Sequence, residues 1–181
     1  FRNLVDTTKI DKLISRAVSV KDNSPDVSLD MLKRALKQAK SAEYTSGEAM
    51  ILFNLGRVYV ALGDYTESNI NLNSALTIFE TINDTESRIN TLSLLGMNHS
   101  YLGNFDQALI NFQESLALAE EFNNDNITAK ILNNMGGYYY SIDDLESAKI
   151  SYLRSLALKE KINDIQGLGA CYTNLAIICT G

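Results

Sequence analysis

Several residue types that mark particular protein classes are scarce in this sequence. Among its 181 residues, proline occurs once and glycine 10 times, which excludes collagen, disordered chains rich in proline and glycine, and most β-sandwiches. Histidine occurs once and cysteine twice, so the ligands of a metal site are missing and no metal is expected. No apolar stretch approaches the ~20 residues that a membrane-spanning helix needs. The hydrophobic fraction of 45% is that of an ordinary folded domain.

The chain also has fewer basic than acidic residues. Lys and Arg total 16 against 22 Asp and Glu, which gives a net charge of -6. No run of basic residues concentrates positive charge in one segment. Because a surface of this sign repels phosphate, nucleic acid is not expected as a partner.

The start of the chain and its cysteines bear on the compartment. The chain opens at Phe1 without a methionine or a signal-like apolar core, so we interpret it as a fragment of a longer protein.

Cys171 and Cys179 lie on one predicted helix with their Cα atoms ~12 Å apart, which is too far for a disulfide. Both are predicted to be buried thiols. The compartment stays open. The cytoplasm is favoured, and the periplasm is the alternative if a signal peptide precedes Phe1.

What the sequence does contain is a repeat with a 40-residue period. The segment Phe-Asn-Leu-Gly at residues 53–56 returns in related form at 93–96, 133–136 and 173–176. Several columns share this step: Gly56, Gly96, Gly136 and Ala176; Tyr59, His99, Tyr139 and Cys179; Ser68, Ala108 and Ala148; Leu76, Leu116 and Leu156; Asn83, Asn123 and Asn163. Independent columns with one period indicate a repeat architecture.

Each unit reads as two helices, here called helix A and helix B. The helical spacing i, i+3, i+4, i+7 is met in helix A by Leu52, Leu55, Gly56 and Tyr59. Gly63 and Gly103 then predict a turn. Helix B follows and is predicted to end at the asparagine column, because asparagine tolerates the left-handed conformation that closes helices. The units are predicted at 8–44 (degenerate), 48–84, 88–124, 128–164 and 168–181 (incomplete).

Two columns of small residues are predicted to mark close helix crossings. In the first, helix A faces helix B of the same unit, through Gly56 with Ser68, Gly96 with Ala108, and Gly136 with Ala148. The second suits contact between helix B and the next helix A, and consists of Ala35, Ala75, Ser115 and Ser155.

These residues resemble the tetratricopeptide repeat signature, which matches over roughly residues 8–181. The residues that carry the resemblance are Leu52, Leu55, Gly56, Tyr59, Gly63, Tyr65, Ala75 and Leu76. The unit is longer than the usual one of about 34 residues, Ser68 replaces an expected alanine, and Asp143 replaces the turn glycine. The resemblance implies an all-α, right-handed superhelical solenoid of antiparallel helix pairs that binds a protein or peptide in its concave groove.

Units of this greater length look like those of peptide-binding adaptors, bacterial peptide-pheromone receptors, and sensor regions of bacterial signalling enzymes. The resemblance therefore implies a regulatory or scaffold region of a bacterial signalling protein. The alternative is a sensor and dimerisation domain that controls an attached diguanylate cyclase or histidine kinase. A homodimer is expected through the last helix, whose packing face carries Leu175, Ala176, Ile178 and Cys179.

No set of residues indicates catalysis or a cofactor, and the chain is predicted not to be an enzyme. His99 is interpreted as a helix-packing side chain, since it shares the column of Tyr59 and Tyr139. The pair Asp143-Asp144 occupies a turn, and Gly137 is interpreted as opening space on the inner surface.

The sharpest functional pattern is an asparagine column formed by Asn54, Asn134 and Asn174. In proteins that this chain resembles, the column lines the concave groove, and a carboxamide can both donate to and accept from a peptide backbone. The alternative is that these asparagines only bond neighbouring carbonyl groups. We predict that their side chains face solvent in the free protein.

Other residues are predicted to share this groove by their place in the repeat. Tyr140 is predicted to offer its hydroxyl to a ligand, with a plain wall residue as the alternative. The remaining groove residues are Phe53, Arg57, Met97, Lys130, Asn133 and Ile177. Their mixture of apolar and positively charged groups fits a peptide with apolar and acidic side chains, bound extended or as an amphipathic helix.

Overall fold

The computed structural model describes residues 7–180, and side chains as far as residue 179. Within this range the chain forms nine helices and no strand. The helices are α1 (Thr7–Val20), α2 (Pro25–Ser41), α3 (Thr45–Ala61), α4 (Tyr65–Thr81), α5 (Thr85–Tyr101), α6 (Phe105–Glu121), α7 (Asp125–Ser141), α8 (Leu145–Lys161) and α9 (Ile165–Thr180). The all-α fold class is confirmed, and helices A are α1, α3, α5, α7 and α9.

The lengths of the elements explain the period. Helices α2 to α8 are each 17 residues long, and three residues connect each of them to the next. Two helices and two connections add up to the 40-residue step seen in the sequence. Helices A begin about one turn earlier than the predicted units do, because polar first-turn residues such as Thr45 and Thr85 precede the apolar pattern.

The connections depend on residues with positive φ. The predicted helix ends at Asn83, Asn123 and Asn163 are confirmed, with φ values of 55°, 53° and 56°. Gly63 and Gly103 have φ values of 77° and 74° in the turns from helix A to helix B. Asp143 takes the same role with φ of 63°, and aspartate tolerates this region better than most side chains do. Local turn chemistry therefore explains where the helices stop.

The structure confirms one predicted contact of the glycine column, since Oγ of Ser68 donates to the main-chain carbonyl of Gly56 at 2.8 Å, and it adds a larger neighbour to each glycine. The side chains nearest to Gly56, Gly96 and Gly136 are Leu72, Phe112 and Tyr152, one helical turn beyond the predicted small residues. A Cβ atom built on Gly136 would lie 2.5 Å from Cε1 of Tyr152. Glycine is therefore needed because a large side chain of helix B lies directly on the backbone of helix A.

The small hydroxyl residues of helix B bond to helix A of the same pair. The donor is the Oγ atom and the acceptor a main-chain carbonyl in Ser28 to Ala17 (2.8 Å), Ser68 to Gly56 (2.8 Å), Ser115 to Ile89 (2.8 Å) and Ser155 to Ala129 (2.7 Å). Ser155 also accepts from Sγ of Cys171 on the next helix A, at 3.5 Å. In the second small column, Ser115 and Ser155 thus contact their own helix A, and Ser155 contacts the next helix A as predicted.

The chain forms two compact units, Phe1–Ser87 (unit 1) and Arg88–Gly181 (unit 2). The core of unit 1 is built around Ile10, Leu32, Ile51, Leu55 and Phe79, and that of unit 2 around Ile89, Phe112, Ile127, Ile131 and Tyr138. Cys171 is buried as predicted. The prediction was wrong for Cys179, which is exposed because no described residue covers that side of α9. None of the helices within residues 7–180 has the length and apolar character to cross a membrane.

Candidate functional site

A pocket of about 320 Å³ opens in unit 2 between three helices A. Helices α5, α7 and α9 form its walls, and one side chain each from α6 and α8 reaches it from behind. The lining residues are Met97, Ser100, Tyr101, Phe112, Asn133, Asn134, Gly137, Tyr138, Ser141, Tyr152 and Asn174. None of them carries a formal charge at neutral pH, so the pocket is suited to a neutral group.

Hydrogen bonds between successive helices A run along the pocket. Nδ2 of Asn134 donates to Oγ of Ser93 at 3.2 Å, and Nδ2 of Asn174 donates to Oδ1 of Asn133 at 3.0 Å. The hydroxyl oxygens of Ser100 and Ser141 are 3.4 Å apart. In each case the two residues are 41 positions apart, which is one repeat plus one residue. We call these three pairs the interhelical ladder.

The ladder leaves part of each carboxamide unused. Among the described residues, no hydrogen bond involves Nδ2 of Asn133, Oδ1 of Asn134 or Oδ1 of Asn174. One donor and two acceptors therefore remain at the rim of the pocket. The amides of a peptide backbone need groups of this kind.

Aromatic side chains form the floor of the pocket. The hydroxyl of Tyr138 donates to the main-chain carbonyl of Phe105 at 3.2 Å, and its ring lies 5.8 Å from that of Phe112, measured between centroids. Burial raises the pKa of both Tyr138 and Tyr152 above the usual range, so both phenols stay protonated at neutral pH. Gly137 opens space as predicted, because a Cβ built there would meet only the hydroxyl of Tyr152, at 3.7 Å.

The structure gathers some of the predicted groove residues here and places others elsewhere. Met97, Asn133, Asn134 and Asn174 line the pocket. Lys130 is exposed and lines a wider, more open cleft near the first turns of α7 and α9, together with Asn126, Gln166 and Gly167. Tyr140 and Ile177 are exposed, with 47% and 46% of their surface accessible, and neither lines either of these sites.

The three predicted residues of unit 1 form a cluster of their own on α3. The guanidinium of Arg57 lies 6.0 Å from the centre of the Phe53 ring, and its Nη1 donates to Oδ1 of Asn54 at 3.2 Å. The Phe53 ring packs edge-on against Phe79, with centroids 6.5 Å apart. Arg57 is thereby held against the other two side chains.

The prediction that Asn54 faces solvent was wrong, since only 4% of its surface is accessible. Its Nδ2 donates to the main-chain carbonyl of Met50 at 2.8 Å, and its Oδ1 accepts from Arg57. The position one repeat and one residue earlier is Leu13, which has no polar group for a ladder bond. Both ends of the Asn54 carboxamide are therefore used inside its own helix.

Sequence reasoning missed Ser93, Ser100, Tyr101 and Ser141. For the three serines the signal was a spacing of one repeat plus one residue between polar positions on neighbouring helices A, which identical columns at whole repeats do not reveal. Tyr101 is not part of that pattern. No group of His, Cys, Asp and Glu in the described range could hold a metal ion. His99 is half-buried, and burial lowers its pKa below the usual range.

Comparison with known proteins agrees with this architecture. Two family models, both described as tetratricopeptide repeat, match residues 50–81 and 87–161, together more than half of the chain. The comparison with curated proteins gave no match.

Several solved structures share the fold. BtubC (BKLC) from P. vanneervenii superposes with a TM-score of 0.82 at 20% identity, over 96% of this chain and 74% of that one. Aspartyl phosphate phosphatase F from Bacillus subtilis gives 0.87 at 16% identity, over 96% and 46%. NprR in complex with its cognate peptide NprX gives 0.77 at 24% identity, over 99% and 52%. The apo form of NprR, from B. thuringiensis, matches with the same TM-score.

The chain thus spans about half the length of aspartyl phosphate phosphatase F and of NprR. At these sequence identities the similarity concerns the fold. Three findings lead to one conclusion. They are the paired helices of similar length, the glycine column beneath large side chains of helix B, and the two family matches. The chain belongs to the tetratricopeptide repeat family.

Proposed function

We propose that this chain is a peptide- or protein-binding module and that the pocket of unit 2 holds part of the bound peptide. The observation that carries the proposal is the combination of an uncharged, aromatic-floored pocket with three carboxamides at its rim, which together leave one donor and two acceptors unused. Such a rim can bond the backbone of a peptide whatever its sequence, while the floor selects a side chain.

The wider role that we propose is regulatory, within a longer bacterial signalling protein. NprR, which shares the fold, was solved with its cognate peptide, and this chain spans about half of its length. The amides and hydroxyls around the pocket are neutral at neutral pH, so they are suited to holding a ligand and not to moving protons. We therefore propose binding without catalysis.

We also propose that an acidic side chain of the peptide lies near Lys130. Lys130 is exposed at the open cleft beside Asn126 and Gln166. The two carboxylates of this cleft, Asp125 and Asp164, are already paired with Lys161 and Lys159. An exposed cation in a largely acidic protein attracts carboxylates, and salt screens this attraction.

Replacing Asn134 by alanine is expected to weaken peptide binding about five- to 150-fold, because a buried hydrogen-bonding group of the peptide would lose its partner at a cost of about 1–3 kcal/mol. The measurement is a titration, by fluorescence anisotropy, of peptides selected on the wild-type chain from a displayed random library.

Ser93→Ala is the matched control for this variant. It removes the same ladder bond, from Asn134 to Ser93, but leaves the carboxamide of Asn134 at the pocket. Binding close to wild type is expected for Ser93→Ala. If the two variants lose affinity equally, Asn134 acts by positioning α7 against α5, and the proposed contact with the peptide is wrong.

Helix α9 is the surface through which we propose self-association. Its residue Tyr172 is 55% exposed, whereas Leu132, its equivalent on α7, is 1% exposed. Exposed apolar surface of this kind is typical of an interface. The apparent mass of the chain in sedimentation experiments is expected to rise with concentration, and Tyr172→Lys is expected to remain monomeric. A wild-type chain that stays monomeric at millimolar concentration would contradict this proposal.

A further inference from the structure

Tyr152 differs from its equivalents in the other repeats. The column is Leu72, Phe112 and Tyr152, and each of these side chains lies over the glycine of its own helix A. Only Tyr152 carries a polar group at its tip. A tyrosine at an otherwise apolar core position places a hydroxyl where the repeat itself does not require one.

The glycine pair Gly136-Gly137 lets this hydroxyl reach the pocket. A Cβ on Gly136 would lie 2.5 Å from Cε1 of Tyr152, so the ring can lie flat on α7 only over glycine. At Gly137 the hydroxyl oxygen is 3.7 Å from the position of a Cβ, and both Gly137 and Tyr152 line the pocket. The equivalents of Gly137 are Arg57, Met97 and Ile177, whose side chains would cover this opening. A residue of helix B therefore reaches the binding face through a gap in helix A.

The hydroxyl of Tyr152 has no hydrogen-bond partner among the described residues, although the residue is only 5% exposed. Tyr138, which is equally buried, bonds to the carbonyl of Phe105. The hydroxyl of Tyr152 is not one of the fully buried unpartnered atoms of the described residues, so it is accessible from the pocket, where a ligand can bond to it. Burial of the ring is the main cause that raises the pKa of Tyr152, and the nearby Cys171 and Tyr140 raise this pKa further. The group therefore remains a neutral phenol that can donate or accept a hydrogen bond.

We propose that the pocket takes the side chain of a tyrosine of the bound peptide, whose phenol hydroxyl bonds to the hydroxyl of Tyr152. This inference rests on the proposed function and adds the side chain that is selected. Met97 and the rings of Phe112 and Tyr138 on the floor accommodate an aromatic ring, and the hydroxyl of Tyr152 lies beside them. A charged tip would be left without a counter-ion, because no lining residue carries a charge.

The size of the pocket agrees with one large side chain. Its volume of about 320 Å³ is at the lower end of the range for ligand pockets. Larger pockets in that range hold whole small molecules. The carboxamides of Asn133, Asn134 and Asn174 at the rim would hold the backbone on either side of that tyrosine.

The test uses p-cresol and toluene, which are the side chains of tyrosine and phenylalanine as free molecules. Binding is followed by NMR through the labelled methyl group of Met97, which lines the pocket. Met31 and Met50, in unit 1, serve as internal controls. The ratio of the toluene Kd to the p-cresol Kd is expected to fall about three- to tenfold in Tyr152→Phe, since one hydrogen bond is lost and the ring is kept. An unchanged ratio would overturn the inference.

A blocking variant shows whether the two probes occupy this pocket. Gly137→Leu fills the space above the Tyr152 hydroxyl and is expected to abolish the Met97 shifts for both probes. Gly169→Leu is the control, because Gly169 is also helical and exposed, with no atom within 4 Å of its Cβ position, but lies outside the pocket. Shifts of Met97 that persist in folded Gly137→Leu would place the probes elsewhere and contradict the proposal.

These results also separate the inference from the proposed function. Peptides that bind wild type and lose affinity in Asn134→Ala, while the Kd ratio of the probes is unchanged in Tyr152→Phe, would refute only the tyrosine preference. Failure to select any binding peptide would refute the proposed function, whatever the probes do.

Discussion

Replacing Gly136 by leucine is expected to lower the free energy of unfolding by about 3 kcal/mol, the upper end of the usual cost of overpacking a core. The first added atom alone would lie 2.5 Å from the Tyr152 ring, and a ring on a packed helix cannot move aside as a flexible chain end can. Leucine forms helices better than glycine by less than about 1 kcal/mol, so the clash outweighs the gain. Gly96→Leu should behave in the same way, since its Cβ would lie 2.9 Å from Phe112.

Urea unfolding of both variants measures this effect, with Gly169→Leu as the matched control. That substitution adds the same side chain to a helix at an open position, so its stability should not fall. The cost of Gly136→Leu should shrink when Tyr152 is replaced by alanine, because the two changes act on one contact. Wild-type unfolding midpoints for both glycine variants would mean that neither residue lies beneath a side chain of helix B.

The second large effect is expected at Lys159, a charged residue in a buried column. Its equivalents are Ala39, Phe79 and Ala119, all of them buried, and Lys159 is itself only 6% exposed. Its Nζ lies 2.9 Å from Oδ2 of Asp164. The Asp164 side chain is 30% exposed and also accepts from the main-chain N–H of Gly167 at 2.9 Å. Removing the partner of a buried charge is strongly destabilising, whereas replacing that charge by an apolar side chain of similar volume is often neutral, and Asp164→Ala loses the bond to Gly167 as well. Asp164→Ala should therefore lower the melting temperature by many degrees, and Lys159→Met by little or nothing.

The pH dependence of stability gives a further measurement on this pair. The main-chain N–H of Gly167 and then the ammonium group of Lys159 hold the pKa of Asp164 below its usual 3.8. A carboxyl group with a lower pKa in the folded state stabilises the fold above its unfolded pKa, and this contribution is lost as the pH falls through the folded value. Between neutral pH and about pH 3, the wild type should lose more stability than Lys159→Met. Equal losses in both proteins, or equal melting temperatures for Asp164→Ala and Lys159→Met at neutral pH, would show that the ion pair has no such role.

Some features of this protein could be predicted because they depend on residues close together in the chain. The 40-residue step follows from helix lengths and three-residue connections, and the left-handed residues Asn83, Asn123 and Asn163 mark where helices end. Four pocket residues, Met97, Asn133, Asn134 and Asn174, were also predicted, because positions one period apart occupy the same place on their helices.

Other features depend on how far each helix is rotated about its axis and on which side chain fills the space against its neighbour. The sequence shows that Gly136 is small, but only packing shows that Tyr152 covers it. Asn54 and Asn134 share one column, yet Asn54 is buried in unit 1 while Asn134 lines a pocket in unit 2. Asn54 bonds to Met50 and Arg57 within its own helix, whereas Asn134 bonds to Ser93 on the neighbouring helix A. Periodicity determined the fold of the chain, and side-chain contacts between helices decided which of the repeated positions line the pocket.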